Sequence, residues 1–144
     1  VAMAGGKDIT KADTALQTVE TVAAAQMGVK SMEDCLFCKI AAREIPSTKI
    51  YENEYVYAFK DIDPKAPFHA IIIPKKHIGS ADEINSENSS EIAHIFEAVA
   101  EIAKQENLGN GYRVVNNCGE DGGQTVHHIH FHMLARRNLA WPPG

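Results

Sequence analysis

The segment "TVHHIHFHML" (Thr125–Leu134) contains four of the seven histidines of the chain, and three of them alternate with apolar residues. Side chains alternate between the two faces of a β-strand, so residues two apart share a face at a spacing of about 6–7 Å. A strand over residues 126–135 therefore presents His128, His130 and His132 together. The opposite face then carries His127, Ile129, Phe131 and Met133.

The chain from residue 32 onward shows further helix and strand patterns. Apolar residues at helical spacing between Glu91 and Glu106 predict an amphipathic helix, and a short helix over Cys35–Ala42 is predicted to stop before Pro46. We therefore expect one α+β domain, residues 32–144. Its strands, besides 126–135, are predicted at Lys49–Glu52, Tyr55–Lys60, His69–Pro74 and Tyr112–Asn116.

Composition excludes several classes of function. The 144 residues are 44% hydrophobic and 23% charged, which is typical of globular proteins. A net charge of −5 argues against a protein that binds a nucleic-acid backbone. No apolar run approaches the roughly 18–20 residues that span a bilayer, so no membrane partner is expected. Three cysteines, an odd number, argue against a disulfide framework and favour a reducing, cytoplasmic location.

Residues 1–31 differ from the remainder, because they are rich in Ala, Thr and Gly and contain no aromatic residue. They also lack the basic and then apolar layout of a secretion signal. We interpret them as a flexible leader or as an extension introduced by cloning. The loose helical spacing of Leu16, Val19 and Val22 leaves a short surface helix as the alternative.

Three uses of the aligned histidines are open on chemical grounds. They fit a metal site with three imidazole ligands, a polar face without function, or catalysis at phosphorus. Imidazole is a good nucleophile near neutral pH, and a second imidazole supplies a proton to a leaving group. The preceding loop "EDGGQT" adds backbone N–H groups and a hydroxyl, which favours binding of an anionic oxygen and hence the third use.

These motifs together resemble the histidine triad family. The resemblance covers residues 33–144 and is carried by "GQTVHHIHFHML", by "CLFCKIAAREIPSTKIYENEYVYAFKDIDPKAPFHAIIIPKKH" and by the terminal "WPPG". The chain is most similar to the nucleotide-binding (Hint) branch. That resemblance implies a five-stranded antiparallel sheet with two helices, paired into a homodimer through one continuous sheet. It also implies purine nucleoside phosphoramidase activity on an AMP- or GMP-type ligand, without a cofactor for catalysis.

The resemblance also assigns catalytic roles. His130 would attack the α-phosphorus of a nucleoside 5′-phosphoramidate to form a nucleotidyl-histidine, which water then cleaves. His132 would bind the phosphate oxygens, while His128 and His69 would orient the other imidazoles. The hydroxyl of Thr125 would donate to the leaving group.

Nucleotide contacts follow from the same resemblance. Asp61 would accept the ribose hydroxyls, with Asp63 as a nearby competitor, and Trp141 would reach the active site of the other subunit. Asn117, Gly123 and Gln124 would contact phosphate. The purine would lie between apolar side chains that, taken singly, also fit an ordinary core: Phe37, Ile40, Ile45 and Ile62.

The pair Cys35 and Cys38 has the spacing of two ligands of one tetrahedral metal ion, although two buried cysteines are an equally good interpretation. The resemblance to bacterial members of the family adds His77 and His128 as the remaining ligands of a structural zinc. A nucleotide-sensing or scaffold protein with vestigial turnover is the alternative function. A dinucleoside polyphosphate hydrolase and a metal-dependent hydrolase are further alternatives.

Overall fold

The computed structural model describes residues 34–144, so the predicted leader, residues 1–31, lies outside the described residues. In the described part no helix is long and apolar enough to cross a membrane. The helices are α1 (Leu36–Ala41) and α2 (Ser90–Gln105), and a 3-10 turn covers Ala81–Glu83. The strands are β1 (Lys49–Glu52), β2 (Val56–Lys60), β3 (Phe68–Pro74), β4 (Tyr112–Asn116) and β5 (Phe131–Ala135).

The five strands form one sheet in the order β1-β2-β3-β5-β4. Every neighbouring pair is antiparallel, which confirms the predicted α+β fold with a five-stranded antiparallel sheet and two helices. The last strand in sequence is inserted between β3 and β4. Its register opposite β3 pairs His69 with Leu134 and Ile71 with His132, so the triad segment lies beside His69 in the middle of the sheet.

One helix covers each face of the sheet. On one face α2 buries Ile95, Val99 and Ile102 in a cluster that contains Ile72 and Met133. On the other face α1 and the sheet share a second cluster. Its members are Cys35, Leu36, Phe37, Ile40, Tyr57, Phe59, Ile71, Ile73 and Val126. Strand β3 is buried at all seven positions, because its β-branched run contributes to both clusters.

The predicted strand over residues 126–135 is wrong in its first half, because β5 begins at Phe131. Residues 126–130 form an extended entry with bends, and the Ile129 N–H donates to the Ile78 carbonyl at 2.6 Å. That bond ties the entry to the loop after β3 and removes it from the sheet ladder. The alternation of faces nevertheless continues, since Ile129 lies in the first cluster and Val126 in the second.

We expect Ile72→Ala to lower the free energy of unfolding by about 2–5 kcal/mol, because it empties a site with no exposed surface at the centre of the sheet. Ile50→Ala is the matched control, since Ile50 is only partly buried against the same cluster. Urea unfolding should show a clearly smaller loss for the control. Equal losses of unfolding free energy would mean that Ile72 at the sheet centre contributes no more to stability than Ile50 on the edge strand β1.

Candidate active site

A cavity at the end of the sheet brings together seven of the residues that the sequence singled out. It lies on the α1 side, where β2, β3 and β5 meet the loop that follows β4. Residues predicted to be catalytic or to bind nucleotide contribute most of the wall. The lining consists of Asp61, Lys65, His69, Val115, Asn117, Gly123, Thr125, His130, His132 and Leu134.

His130 is buried, at 2% exposure, and a backbone group decides which ring nitrogen carries its hydrogen. Its Nδ1 lies 2.7 Å from the carbonyl oxygen of His128, and a carbonyl can only accept, so Nδ1 carries the hydrogen. Nε2 is therefore the unprotonated nitrogen. Burial also lowers the pKa of His130 to about 3, so the ring is neutral at physiological pH.

His69 and His132 form a hydrogen-bonded pair whose direction is also set by the backbone. The Lys65 N–H donates to His69 Nδ1 at 3.0 Å, so His69 carries its hydrogen on Nε2. Nε2 donates to His132 Nδ1 at 2.8 Å, which leaves the hydrogen of His132 on Nε2. Burial lowers the pKa of both rings to about 4. The neutral pair thus offers a donor at His132 Nε2.

Asp61 lies at the far end of this pair. Its Oδ1 accepts the Asp63 N–H at 2.9 Å, and its Oδ2 is 3.4 Å from His69 Nε2. Burial raises the pKa of Asp61 to about 6, because the carboxylate has lost much of its water.

A metal ion is a poor occupant of this cluster, even though Asp61, His69 and His132 offer three ligand atoms within 4.8 Å of one another. A metal on His69 Nε2 would move the hydrogen to Nδ1, where it would oppose the Lys65 N–H that already points at that nitrogen. The ring of His128 is engaged in a different cluster, so the three triad histidines do not converge on one ion. The geometry favours proton transfer by these side chains over metal binding.

The loop after β4 supplies polar groups to the cavity, but not all those predicted. Asn117, Gly123 and Thr125 line the cavity, whereas Gln124 does not. The Gln124 amide is buried and donates to the carbonyls of Gly79 at 2.8 Å and Val126 at 3.0 Å. Its oxygen accepts the Gly119 N–H at 3.1 Å. Because these bonds occupy the amide within the loop, Gln124 is a brace in this structure rather than the predicted phosphate contact.

The four apolar residues predicted to surround a purine fall into two groups. Phe37 and Ile40 have no exposed surface, so in this structure neither side chain is open to direct contact with a ligand. Phe37 also places its edge against the His130 ring, with centroids 5.0 Å apart and planes at 84°, which holds that ring in place. Ile45 and Ile62 are partly buried on the same cluster and offer the accessible apolar surface.

Trp141 is 80% exposed and does not line the cavity of its own chain. Arg113 on β4 holds the segment before it by donating to the carbonyls of Leu139 and Ala140. The tail is therefore anchored on the sheet while its indole projects outward. Its predicted contact with the active site of another subunit stays a prediction.

A second cluster lies behind the first, as predicted, and contains Cys35, Cys38, His77 and His128. The His128 Nε2–H donates to the Pro74 carbonyl at 2.9 Å, so its Nδ1 lone pair faces the thiols. Nδ1 lies 3.2 Å from Cys35 Sγ, 3.6 Å from Cys38 Sγ and 3.2 Å from His77 Nδ1. These are close to the edges, about 3.3–3.8 Å, of a tetrahedron with zinc–ligand distances of about 2.0–2.3 Å. The donor set fits zinc.

The two thiols of this cluster differ in acidity. A hydrogen bond from the Cys38 thiol lowers the pKa of Cys35 to about 3, and the same bond raises the pKa of Cys38. The pair therefore holds one proton between two sulfurs at neutral pH. A thiolate is the form of cysteine that binds metals, so Cys35 is already in the binding form, whereas Cys38 would release its proton when a metal binds.

Two groups that organise the cavity were missed by the sequence because they belong to the main chain. They are the carbonyl of His128 and the N–H of Lys65, which assign the hydrogens of His130 and His69. Side-chain patterns carry no signal for such groups. The "DPKAP" loop after β2 hints at a fixed turn, but its contact with His69 appears only in the folded chain.

The chain is similar to known proteins over most of its length. The profile of the HIT domain family matches residues 42–139. The chain belongs to the histidine triad (HIT) family. An uncharacterized HIT-like protein of Synechococcus elongatus is 47% identical over 112 residues, which cover 78% of this chain and 98% of that protein. A 14 kDa zinc-binding protein of Zea mays is 46% identical over 111 residues, covering 76% and 87%.

Solved structures of the HIT family share the fold. A HIT family hydrolase from Legionella pneumophila superposes with a TM-score of 0.74 at 48% identity, covering 76% of this chain and 99% of that one. A histidine triad nucleotide-binding protein from Candida albicans superposes with a TM-score of 0.65 at 34% identity, covering 75% and 82%. Both structural similarities therefore extend over most of each chain.

The burial of the imidazoles predicts their titration. NMR titration of the Cε1 protons of His69 and His132 should give midpoints near 4, compared with an ordinary pKa of 6.5. The unfolded chain would take up these protons between about pH 6.5 and 4 while the folded chain would not, so both rings reduce stability as the pH falls through that window. Asp61 acts in the opposite sense. Its pKa is raised, so the folded chain binds this proton at a higher pH than the unfolded chain does, and stability increases as the pH falls. Midpoints near 6.5 for both rings would contradict the geometry.

Proposed function

We propose that this protein is a hydrolase of the nucleotide-binding (Hint) branch that cleaves purine nucleoside 5′-phosphoramidates through a nucleotidyl-histidine at His130. The observation that carries the proposal is the hydrogen bond from His130 Nδ1 to the His128 carbonyl, which leaves Nε2 with a free lone pair. A neutral, unprotonated imidazole nitrogen beside an anion-binding loop is what nucleophilic attack on phosphorus requires.

The chemical steps follow from the positions of the hydrogens. His130 Nε2 attacks the α-phosphorus, the new N–P bond forms, and the bond from phosphorus to the amine breaks. The amine leaves with that electron pair and takes a proton, for which the Thr125 hydroxyl and the His132 Nε2–H are the nearby donors. Water then attacks phosphorus and the His130 N–P bond breaks, which releases the nucleoside monophosphate.

The remaining lining residues provide binding. His132, Asn117 and the Gly123 N–H would hold the phosphate oxygens, which suits a loop whose Gly123 has a positive φ of 81°. Asp61 would accept the ribose hydroxyls. Ile45 and Ile62 would contact an AMP- or GMP-type purine, because they are partly accessible apolar residues of the same cluster as the buried Phe37 and Ile40.

We further propose a homodimer, joined edge to edge through β4. This strand is at the edge of the sheet and so leaves backbone groups available to a second chain. Tyr112 on β4 and Phe96 on α2 are large apolar side chains exposed at 41% and 49%, which suits an interface. Such a dimer would give the anchored tail and Trp141 a neighbouring site to reach.

The Cys35, Cys38, His77 and His128 cluster would hold one structural zinc ion. When bound, zinc supplies a rigid cross-link between α1, the loop after β3 and the entry to β5. His128 would serve the two centres with different atoms, since its Nδ1 faces the metal cluster and its carbonyl orients His130. The zinc-binding description of the maize relative supports this assignment.

The nucleophile is tested by His130→Ala. We expect hydrolysis of an adenosine 5′-phosphoramidate to fall by at least about three orders of magnitude, roughly 4 kcal/mol of barrier, while AMP still binds. His94→Ala is the matched control, because His94 lies on α2, where its ring stacks on Tyr55. This variant should retain turnover. Quenched wild-type protein should carry a nucleotidyl adduct by mass spectrometry. Undiminished turnover by His130→Ala would exclude this residue as nucleophile.

The metal centre is tested by Cys35→Ser. Purified wild-type protein should contain about one zinc per chain, whereas the variant should contain little and should melt at a lower temperature. Cys118→Ser changes the third cysteine, which is outside the cluster, and should keep both zinc and melting temperature. If the wild-type protein lacks zinc and a chelator does not change its melting temperature, the cluster consists of packed side chains and is not a metal site.

A further inference from the structure

One arginine after β5 holds the loop that precedes β3. Phe68 at the start of β3 pairs with Ala135 at the end of β5, so the chain leaves β5 beside that loop. Arg137 donates to the Lys65 carbonyl from Nε at 3.1 Å and from Nη2 at 2.9 Å. Two donors of one planar guanidinium fix the position and the direction of the carbonyl that accepts them.

Lys65, the residue held in this way, also sets the hydrogens of the imidazole pair. Its N–H donates to His69 Nδ1 at 3.0 Å, and His69 Nε2 donates to His132 Nδ1 at 2.8 Å. Among the described residues, the Lys65 N–H is the only group outside the pair that hydrogen-bonds to either ring. The direction of the hydrogen bond between the rings therefore depends on where the Lys65 N–H points.

The opposite arrangement of hydrogens would also join the two rings by one hydrogen bond. If His69 carried its hydrogen on Nδ1, its Nε2 would accept, and His132 would have to donate from Nδ1. His132 Nε2 would then have no hydrogen for a phosphate oxygen or a departing amine. The Lys65 N–H opposes this arrangement, because it would face a second N–H at His69 Nδ1.

The loop itself gives Lys65 little support. Asp63, Pro64, Lys65 and Pro67 are all exposed, and the Lys65 ammonium pairs with Asp63 of the same loop. The two prolines restrict φ at their own positions but contribute no N–H. Arg137 adds hydrogen bonds from outside the loop, and loss of its side chain would leave the Lys65 main chain free to turn away from His69.

We propose that Arg137 is a positioning residue, which fixes the direction of the hydrogen bond from His69 to His132 by holding the main chain of Lys65. Arg137 does not line the cavity, so it acts through the loop and not on a ligand. This inference rests on the proposed function, because the hydrogen that it keeps on His132 Nε2 is the one that the reaction uses.

The direction of this hydrogen bond is tested by ¹⁵N NMR of the free protein, which needs no turnover. In wild-type protein, His69 and His132 should each carry their hydrogen on Nε2. Arg137→Ala should shift part of both rings to the Nδ1–H form. Unchanged tautomers in Arg137→Ala would overturn the proposal. Because the side chain of Arg137 is exposed, its removal should leave the core folded.

Arg136→Ala is the matched control, since it removes the neighbouring guanidinium, whose hydrogen bonds go to Glu106. This variant has the same change in charge and should keep the wild-type tautomers of His69 and His132. If Arg136→Ala and Arg137→Ala change the tautomers equally, the effect is one of charge, and the proposed role of Arg137 is wrong.

Kinetics on an adenosine 5′-phosphoramidate test the consequence for the reaction. Arg137→Ala should lower kcat about tenfold, the size of effect expected from one lost hydrogen bond, with little change in KM. In a His69→Phe background, which lacks the acceptor of the Lys65 N–H, Arg137→Ala should have no further effect. A tenfold loss that persists in that background, or a raised KM with unchanged kcat, would overturn the proposal.

The two proposals can fail separately. If the wild-type protein hydrolyses no phosphoramidate, the proposed function fails, and the tautomers of the free protein still decide the role of Arg137. If the wild-type protein is active and Arg137→Ala keeps both its tautomers and its kcat, only the role of Arg137 is wrong.

Discussion

The antiparallel pairing of β5 with β3 is the constraint on which the site depends. It sets His132 opposite Ile71 and Leu134 opposite His69, which brings two imidazoles from distant parts of the chain within one hydrogen bond. The same pairing places β5 in the interior of the sheet, between β3 and β4. A shift of one residue in this register would turn His132 toward the α2 face and Met133 toward the cavity. The fully buried side chain of Met133 makes such a shift costly.

The three imidazoles that line the cavity are neutral, and hydrogen bonds place their protons. Burial lowers the pKa of His69, His130 and His132, so positive charge is disfavoured at all three rings. Each ring instead has at least one nitrogen engaged by a main-chain group or by the neighbouring ring. This arrangement yields an unprotonated nitrogen on His130 and a protonated one on His132 without any change in pH. The proposed division into nucleophile and donor follows from these two tautomers.

His128 explains why the two clusters lie back to back. The bend at residues 126–130 directs its ring toward Cys35, Cys38 and His77 while its carbonyl faces His130. A regular strand would have pointed that ring along the same row as His130 and His132, as the sequence predicted. The Ile129 bond to the loop after β3 accompanies the bend, and such a long-range contact leaves no trace in local spacing.

The sequence by itself determined the elements and the residue types of the site. Apolar periodicity located α2, β-branched runs located β3, and the alternating histidines identified His130 and His132 as neighbours on one face, because these features depend only on positions nearby in the chain. Tertiary structure decided what each residue does there. It turned Gln124 inward as a brace, buried Phe37 against His130, and placed the imidazole hydrogens of His69, His130 and His132 through main-chain groups and a neighbouring ring. Protons and burial depend on which backbone groups converge in space, and that convergence exists only once the sheet has formed.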